Sequence, residues 1–298
     1  MPLFHGLAAF PLTPADENGR VAVSTLCATL HRLCEAEVDA IGLLGSTGIY
    51  AYLSREERRR AVTAAVECVS NRVPVIVGIG ALRTDHAQDL ARDAATAGAD
   101  ALLLAPVSYT PLTEDEVYEH FRAVASVTDL PLCVYNNPGT THFTFSRDLL
   151  ARLARIDSIK AVKMPLPATG DVAGELPLLR RGAELAIGYS GDWGAADALL
   201  AGADAWYAVA AGLLPRLCLS LLRAAEAEDI AETRRIDGLL QPLWDCFKAH
   251  GSLRVMYALH DVLHPGTTEP PRPVLPLTGT DRRRVEDVFA PLRALEGL

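Results

Sequence analysis

Short apolar runs alternate with longer amphipathic stretches from the first residues to about position 225. The runs fall at 6–10, 40–44, 75–78, 101–104, 132–135, 159–163, 185–188 and 205–209. They are too short for helices and apolar on both faces, which predicts strands buried on two sides. The stretches between them, at 24–36, 55–69, 85–97, 114–126, 146–154, 171–179, 192–201 and 213–225, predict helices. Ser54-Arg55-Glu56-Glu57 reads as a capping box, and Thr113 and Ser146 as N-caps.

Eight β–α alternations imply a parallel sheet covered by helices, and eight units in about 220 residues fit a closed (β/α)8 TIM barrel. A doubly wound open sheet is the competing architecture. It would carry a Gly-rich dinucleotide fingerprint after the first strand, and Gly6-Leu7-Ala8-Ala9-Phe10-Pro11 has none. We therefore expect a catalytic (β/α)8 barrel over 1–225 and a C-terminal helical extension over 226–298, with a Pro-rich connection at 265–276.

Composition narrows the function. Half of the 298 residues are apolar, and the net charge of −9 speaks against a nucleic-acid surface. No stretch is apolar and uncharged for the ~18 residues a membrane helix needs. Met1-Pro2-Leu3-Phe4-His5 lacks a basic leader pattern, and the six cysteines show no CxxC pair. These features predict a cytoplasmic protein without disulfides. His31, His86, His120, His250, His260 and His264 lie in or beside predicted helices with no metal-ligand spacing, so neither a metal nor a cofactor is expected.

Lysine usage is more telling. Of 28 basic residues only Lys160, Lys163 and Lys248 are lysines. Two of the three share one apolar segment, Ile159-Lys160-Ala161-Val162-Lys163. Three positions apart, they face opposite sides of a strand. In a barrel the chemistry sits where strands end and βα loops begin. Lys163 stands at such an end, where desolvation would lower its pKa and supply the neutral amine that attacks a carbonyl. Position alone leaves a second reading, a lysine snorkelling to solvent. Tyr135, ending the neighbouring strand, is either a proton shuttle or a structural phenol. Gly45-Ser46-Thr47-Gly48 is either a small-anion site or a tight turn. In Ser190-Gly191-Asp192, the aspartate could serve simply as the next N-cap.

Taken together these residues resemble the dihydrodipicolinate synthase / N-acetylneuraminate lyase family of class I pyruvate aldolases. The resemblance rests on Gly45-Ser46-Thr47-Gly48, Tyr135-Asn136-x-Pro138, and 159–163 followed by Thr169-Gly170-Asp171, in order and spacing. It implies a Schiff base between Lys163 and a 2-keto acid such as pyruvate. It implies that Tyr135 relays protons while hydrogen-bonded to Ser46, and that Ser46 and Thr47 hold the keto-acid carboxylate. It places Gly191 by the imine and Trp206 beside the bound pyruvate, and it implies a homotetramer. Tyr109 corresponds to the synthases' second relay tyrosine, lent by a neighbouring subunit.

Departures cluster on the second-substrate side. Thr140 stands where the synthases carry the arginine that grips their aldehyde's carboxylate, and a threonine has no bidentate fork. Ile49 replaces an acid, Met164 replaces a polar residue, and 165–167 lengthen the following loop. The expected co-substrate is an aldehyde or sugar acid other than aspartate semialdehyde. Related readings are a sugar-acid aldolase, a dehydratase of the 5-dehydro-4-deoxyglucarate type, and a keto-acid-binding barrel without turnover.

Overall fold

All eight apolar runs become strands, and all are parallel. The computed structural model describes residues 2–266 and 268–298. The strands are β1 (Gly6–Ala9), β2 (Ala40–Leu43), β3 (Val75–Gly78), β4 (Ala101–Leu104), β5 (Leu132–Tyr135), β6 (Ile159–Met164), β7 (Ala186–Tyr189) and β8 (Ala205–Ala208). They pair in sequence order, and β8 returns to β1 to close the barrel. The helices are α1 (Val23–Glu35), α2 (Arg55–Val69), α3 (Thr84–Ala97), α4 (Glu114–Ala125), α5 (Pro138–Thr141), α6 (Arg147–Leu153), α7 (Val172–Arg180), α8 (Ala195–Leu200) and α9 (Pro215–Glu226). Beyond them lie α10 (Ile230–His250), α11 (Ser252–Leu263) and α12 (Gly279–Glu296). Among the described residues no helix is long and apolar enough to cross a membrane.

Three helix starts follow their sequence signals. Thr113 forms the full capping box with Glu116, and Ser146 accepts from the Leu149 amide. Ser54 accepts from the Glu57 amide. The Glu57 carboxylate, however, takes the Val21 amide at 2.7 Å, tying the first βα loop to α2.

Strand alternation divides the core in two. Leu7, Ile41, Val75, Leu102, Val134, Val162 and Trp206 belong to the cluster shared with the helices. Ala8, Ala40, Ala101, Ala161 and Ala205 belong to the barrel interior, with Phe10, Cys133, Tyr135 and Tyr207. The interior alternates small with large. The Phe10 ring lies 2.2 Å from where a Cβ on Gly42 would stand, and the Tyr207 ring 2.5 Å from one on Gly188. These small residues leave room for three aromatic rings and one lysine.

By charge alone the run Arg58-Arg59-Arg60 on α2 reads as a solvated or subunit-contact face. Arg58 is instead buried, donating to the Gly78 carbonyl at 2.8 Å and the Gly80 carbonyl at 3.0 Å, with its guanidinium over the Tyr50 ring. Burial pulls its pKa down to about 10. Arg58→Ala removes the two charge-assisted bonds to the Gly78 and Gly80 carbonyls. We expect a loss of roughly 2–4 kcal/mol, read as a lower urea midpoint.

The C-terminal helices are fastened to the barrel by a carboxylate. Buried Glu296 of α12 accepts the Arg216 amide at 2.9 Å and the Leu217 amide at 3.0 Å, capping the first turn of α9.

Candidate active site

Lys163 projects into the barrel from β6 and is only 3 % exposed. Its Nζ lies 3.8 Å from the centre of the Phe10 ring, 4.4 Å from that of Tyr135 and 5.5 Å from that of Tyr207. Burial drives its pKa down from 10.5 to about 8, with Cys133 and Asp192 pulling the other way. The ring faces partly compensate the charged form, while desolvation favours the neutral one. Lys160, on the opposite face, is exposed.

Tyr135 is paired with Lys163 in the β5–β6 register, so phenol and amine rise side by side. Its hydroxyl lies 3.3 Å from Ser46 Oγ and accepts from Asn137 Nδ2 at 3.1 Å. Asn137 Nδ2 also reaches Ser46 Oγ at 3.4 Å. With the amide donating to it, the phenol oxygen keeps its own proton to give to Ser46 or to a substrate atom. Burial raises the Tyr135 pKa, and the Ser46 bond offsets part of that rise, so the phenol is protonated at neutral pH.

The turn carrying Ser46 and Thr47 is held by backbone geometry. Leu44 leaves β2 with φ +56, and its carbonyl oxygen would stand 1.9 Å from a Cβ at position 78. Only glycine fits at 78, and that close approach aims the turn at the barrel mouth. Thr47 is buried and Ser46 half-buried.

On the other side of the lysine, Gly188 of β7 pairs with Lys163 and Tyr189 with Met164. The Ser190 amide donates to the Met164 carbonyl at 2.8 Å, which brings Gly191 (φ +91) to the rim beside β6. Asp192 is not an N-cap. Its buried carboxylate accepts from Trp206 Nε1 at 3.0 Å and from the Ala210 amide at 2.7 Å, linking the β7 and β8 ends.

Trp206 does not lie where the resemblance put it. It faces the helix layer, and its strand neighbours Ala205 and Tyr207 face the interior. Tyr207 is therefore the β8 side chain beside the amine. Thr140 sits exposed on α5, its hydroxyl donating to the Asn137 carbonyl at 3.3 Å. Tyr109 is 97 % exposed on the loop after β4 and joins no contact with the lysine group within the chain. Sequence reasoning missed Phe10, Tyr207 and Asn137. A cleft of about 1010 Å³ between 15–19, 49–53 and the C-terminal helices is lined by none of Lys163, Tyr135, Ser46 or Thr47.

An amine with lowered pKa, a protonated phenol beside it and an opposed hydroxyl turn are the parts an imine-forming site requires. The profile of the dihydrodipicolinate synthetase family matches residues 3–291. The chain belongs to that family. Among curated family members, the 4-hydroxy-tetrahydrodipicolinate synthase of Neisseria meningitidis serogroup B is 34% identical over 244 residues, 82% of this chain and 83% of its own. That of Laribacter hongkongensis is 36% identical over 250 residues, 83% and 85% of the two chains. A dihydrodipicolinate synthase from Agrobacterium tumefaciens superposes with TM-score 0.95 at 59% identity, covering 97% and 98%. The family member from Acinetobacter baumannii, solved in complex with pyruvate, superposes with TM-score 0.86 at 28% identity over 97% and 99%.

Proposed function

We propose that the protein is a Schiff-base-forming synthase or lyase of the aldolase type, in which Lys163 binds pyruvate or a related 2-keto acid. The observation that carries this reading is the amine enclosed by three aromatic rings, with a pKa drawn down to about 8 and a phenol alongside. Neutral Nζ adds to the C2 carbonyl, and the carbinolamine loses water to leave an iminium. Removal of a C3 proton gives an enamine, whose C3 bonds to the carbonyl carbon of an aldehyde. Hydrolysis of the new iminium returns the free lysine. Tyr135 moves the protons at the carbinolamine and at the aldehyde oxygen. Ser46 and Thr47 hold the keto-acid carboxylate with hydroxyl and backbone N–H donors. Gly191 bounds the imine side, and Thr140 lies on the rim above Asn137.

The catalytic unit we assign is 1–225, with 226–298 as its helical support. Exposed Tyr109 has the position of a residue lent to a neighbouring subunit, and we infer a homotetramer. Six free cysteines support a cytoplasmic location.

Borohydride reduction in the presence of pyruvate, followed by peptide mapping, tests the reading. We expect one reduced adduct, on the peptide carrying Lys163. The rate of trapping should rise about tenfold per pH unit below about 8 and level off above it, because only the neutral amine attacks. No adduct with pyruvate or longer keto acids would remove the imine mechanism.

A further inference from the structure

The acceptor side of the mouth has a chemistry of its own. The loops that follow β4 to β8, residues 105–113, 136–146, 165–171, 190–194 and 209–214, contain no lysine and no arginine. His142 is their single basic side chain. Their acids are Asp171, which caps α7 through the Gly174 amide, and Asp192, which is buried under the rim. Thr140, the position from which a cation would be expected, has its hydroxyl committed to the Asn137 carbonyl.

Apolar groups stand in that space. Leu166, half-buried between Pro165 and Pro167, nests against the next loop. A Cβ at Gly194 would fall 2.5 Å from Leu166 Cδ1, and one at Gly191 would fall 3.0 Å from it. The two glycines therefore make the hollow that Leu166 fills. Trp193 closes the same corner, its Cζ2 lying 3.4 Å from a Cβ built on Gly191, yet 43 % of the residue is exposed. Both residues belong to the loops that follow the lysine strand and its neighbour: Leu166 is three residues past Lys163, and Trp193 is five past the Gly188 that pairs with it.

We propose that Leu166 and Trp193 form the acceptor-binding wall and select an aldehyde with an uncharged, apolar or aromatic tail over one ending in a carboxylate. The proposal rests on the imine reading of Lys163 and specifies the partner of its enamine. A carboxylate laid against this wall would be desolvated with no guanidinium to meet it, and would face the negative π-cloud of an indole. An aromatic or alkyl tail would instead cover the exposed indole and the leucine. The chemistry is a plain aldol addition. C3 of the enamine bonds to the aldehyde carbon, the carbonyl oxygen takes a proton, and water releases a 4-hydroxy-2-oxo acid with no change of oxidation state overall.

The test uses the full chain with saturating pyruvate and two acceptors, benzaldehyde and succinic semialdehyde, with products followed by mass. For the wild-type protein we expect kcat/KM for benzaldehyde at least about tenfold above that for succinic semialdehyde. Trp193→Ala should raise the benzaldehyde KM roughly 10- to 30-fold and bring the ratio of the two acceptors towards one. Trp193→Phe should restore most of the ratio. A wild-type preference for succinic semialdehyde overturns the proposal. So does a Trp193→Ala protein with an unaltered ratio, including one whose only change is a different oligomer mass. A wild-type protein that forms no borohydride-trapped pyruvate adduct overturns the imine reading and this one with it. Normal trapping with the wrong order of aldehydes overturns this one alone.

Discussion

Lys163→Met is expected to form no borohydride-stable adduct and to lose turnover by at least about a thousandfold, because methionine offers no nucleophile in its place. The same substitution should raise stability at neutral pH. Folding lowers the lysine pKa from 10.5 to about 8. Between those values the unfolded chain binds more protons than the folded one, so unfolding free energy rises with pH across that window. Below about pH 8 the wild-type protein carries the whole cost of burying an ammonium, on the order of 3 kcal/mol. Methionine of similar length carries none of it. Urea midpoints compared at pH 7 and pH 10.5 should therefore show the Met protein's advantage shrinking as pH rises. An advantage that does not change with pH would mean that Lys163 keeps its ordinary pKa in the folded state because it remains solvated. Retained turnover would move the nucleophile elsewhere.

Tyr135→Phe should keep the imine and lose the proton traffic. The ring still packs against Lys163, but the hydroxyl shared with Ser46 and Asn137 is gone. General acid–base groups contribute about 10²- to 10⁴-fold, and water in the vacated corner recovers part of that, so kcat should fall roughly 10²- to 10³-fold. Pyruvate should still be trapped on long incubation, which separates this variant from Lys163→Met. Asn137 Nδ2 and Ser46 Oγ each lose one partner and keep only their mutual 3.4 Å contact, which should also cost about 1–2 kcal/mol of stability. A Phe protein with near-normal kcat would take the phenol out of the proton path and leave it a wall of the pocket.

The barrel was legible because its strands are apolar on both faces and its helices are not. That same double-sided apolarity hid the facing of β8. Along Ala205-Trp206-Tyr207-Ala208 no polar residue marks the outer side, so nothing local corrected the resemblance's placement of Trp206 beside the pyruvate, while period-two alternation delivers Tyr207. Lys163 and Tyr135 were legible through a scarcity of lysine and a spaced motif. Phe10 was not, since it meets the amine from a strand end distant in sequence; Asn137, two residues past Tyr135, stood at the open position of the motif, where nothing local signals that its amide turns back onto the phenol. Arg58 was misjudged by charge alone. Its spacing to Val62, Ala65 and Val69 places it on the buried stripe of α2, and periodicity outranked the run of like charges.

The Glu296 cap on α9 also bears on how the chain folds as it is made. The amides it satisfies belong to Arg216 and Leu217, and its carboxylate is synthesised 80 residues after the first of them. At ribosomal speeds of about 5–20 residues per second, that interval lasts roughly 4–16 seconds. Through that time the barrel can already close, because β8 meets β1 before any C-terminal helix exists. Until the α12 carboxylate arrives, the Arg216 and Leu217 amides in the leading turn of α9 lack the partner that the finished structure gives them.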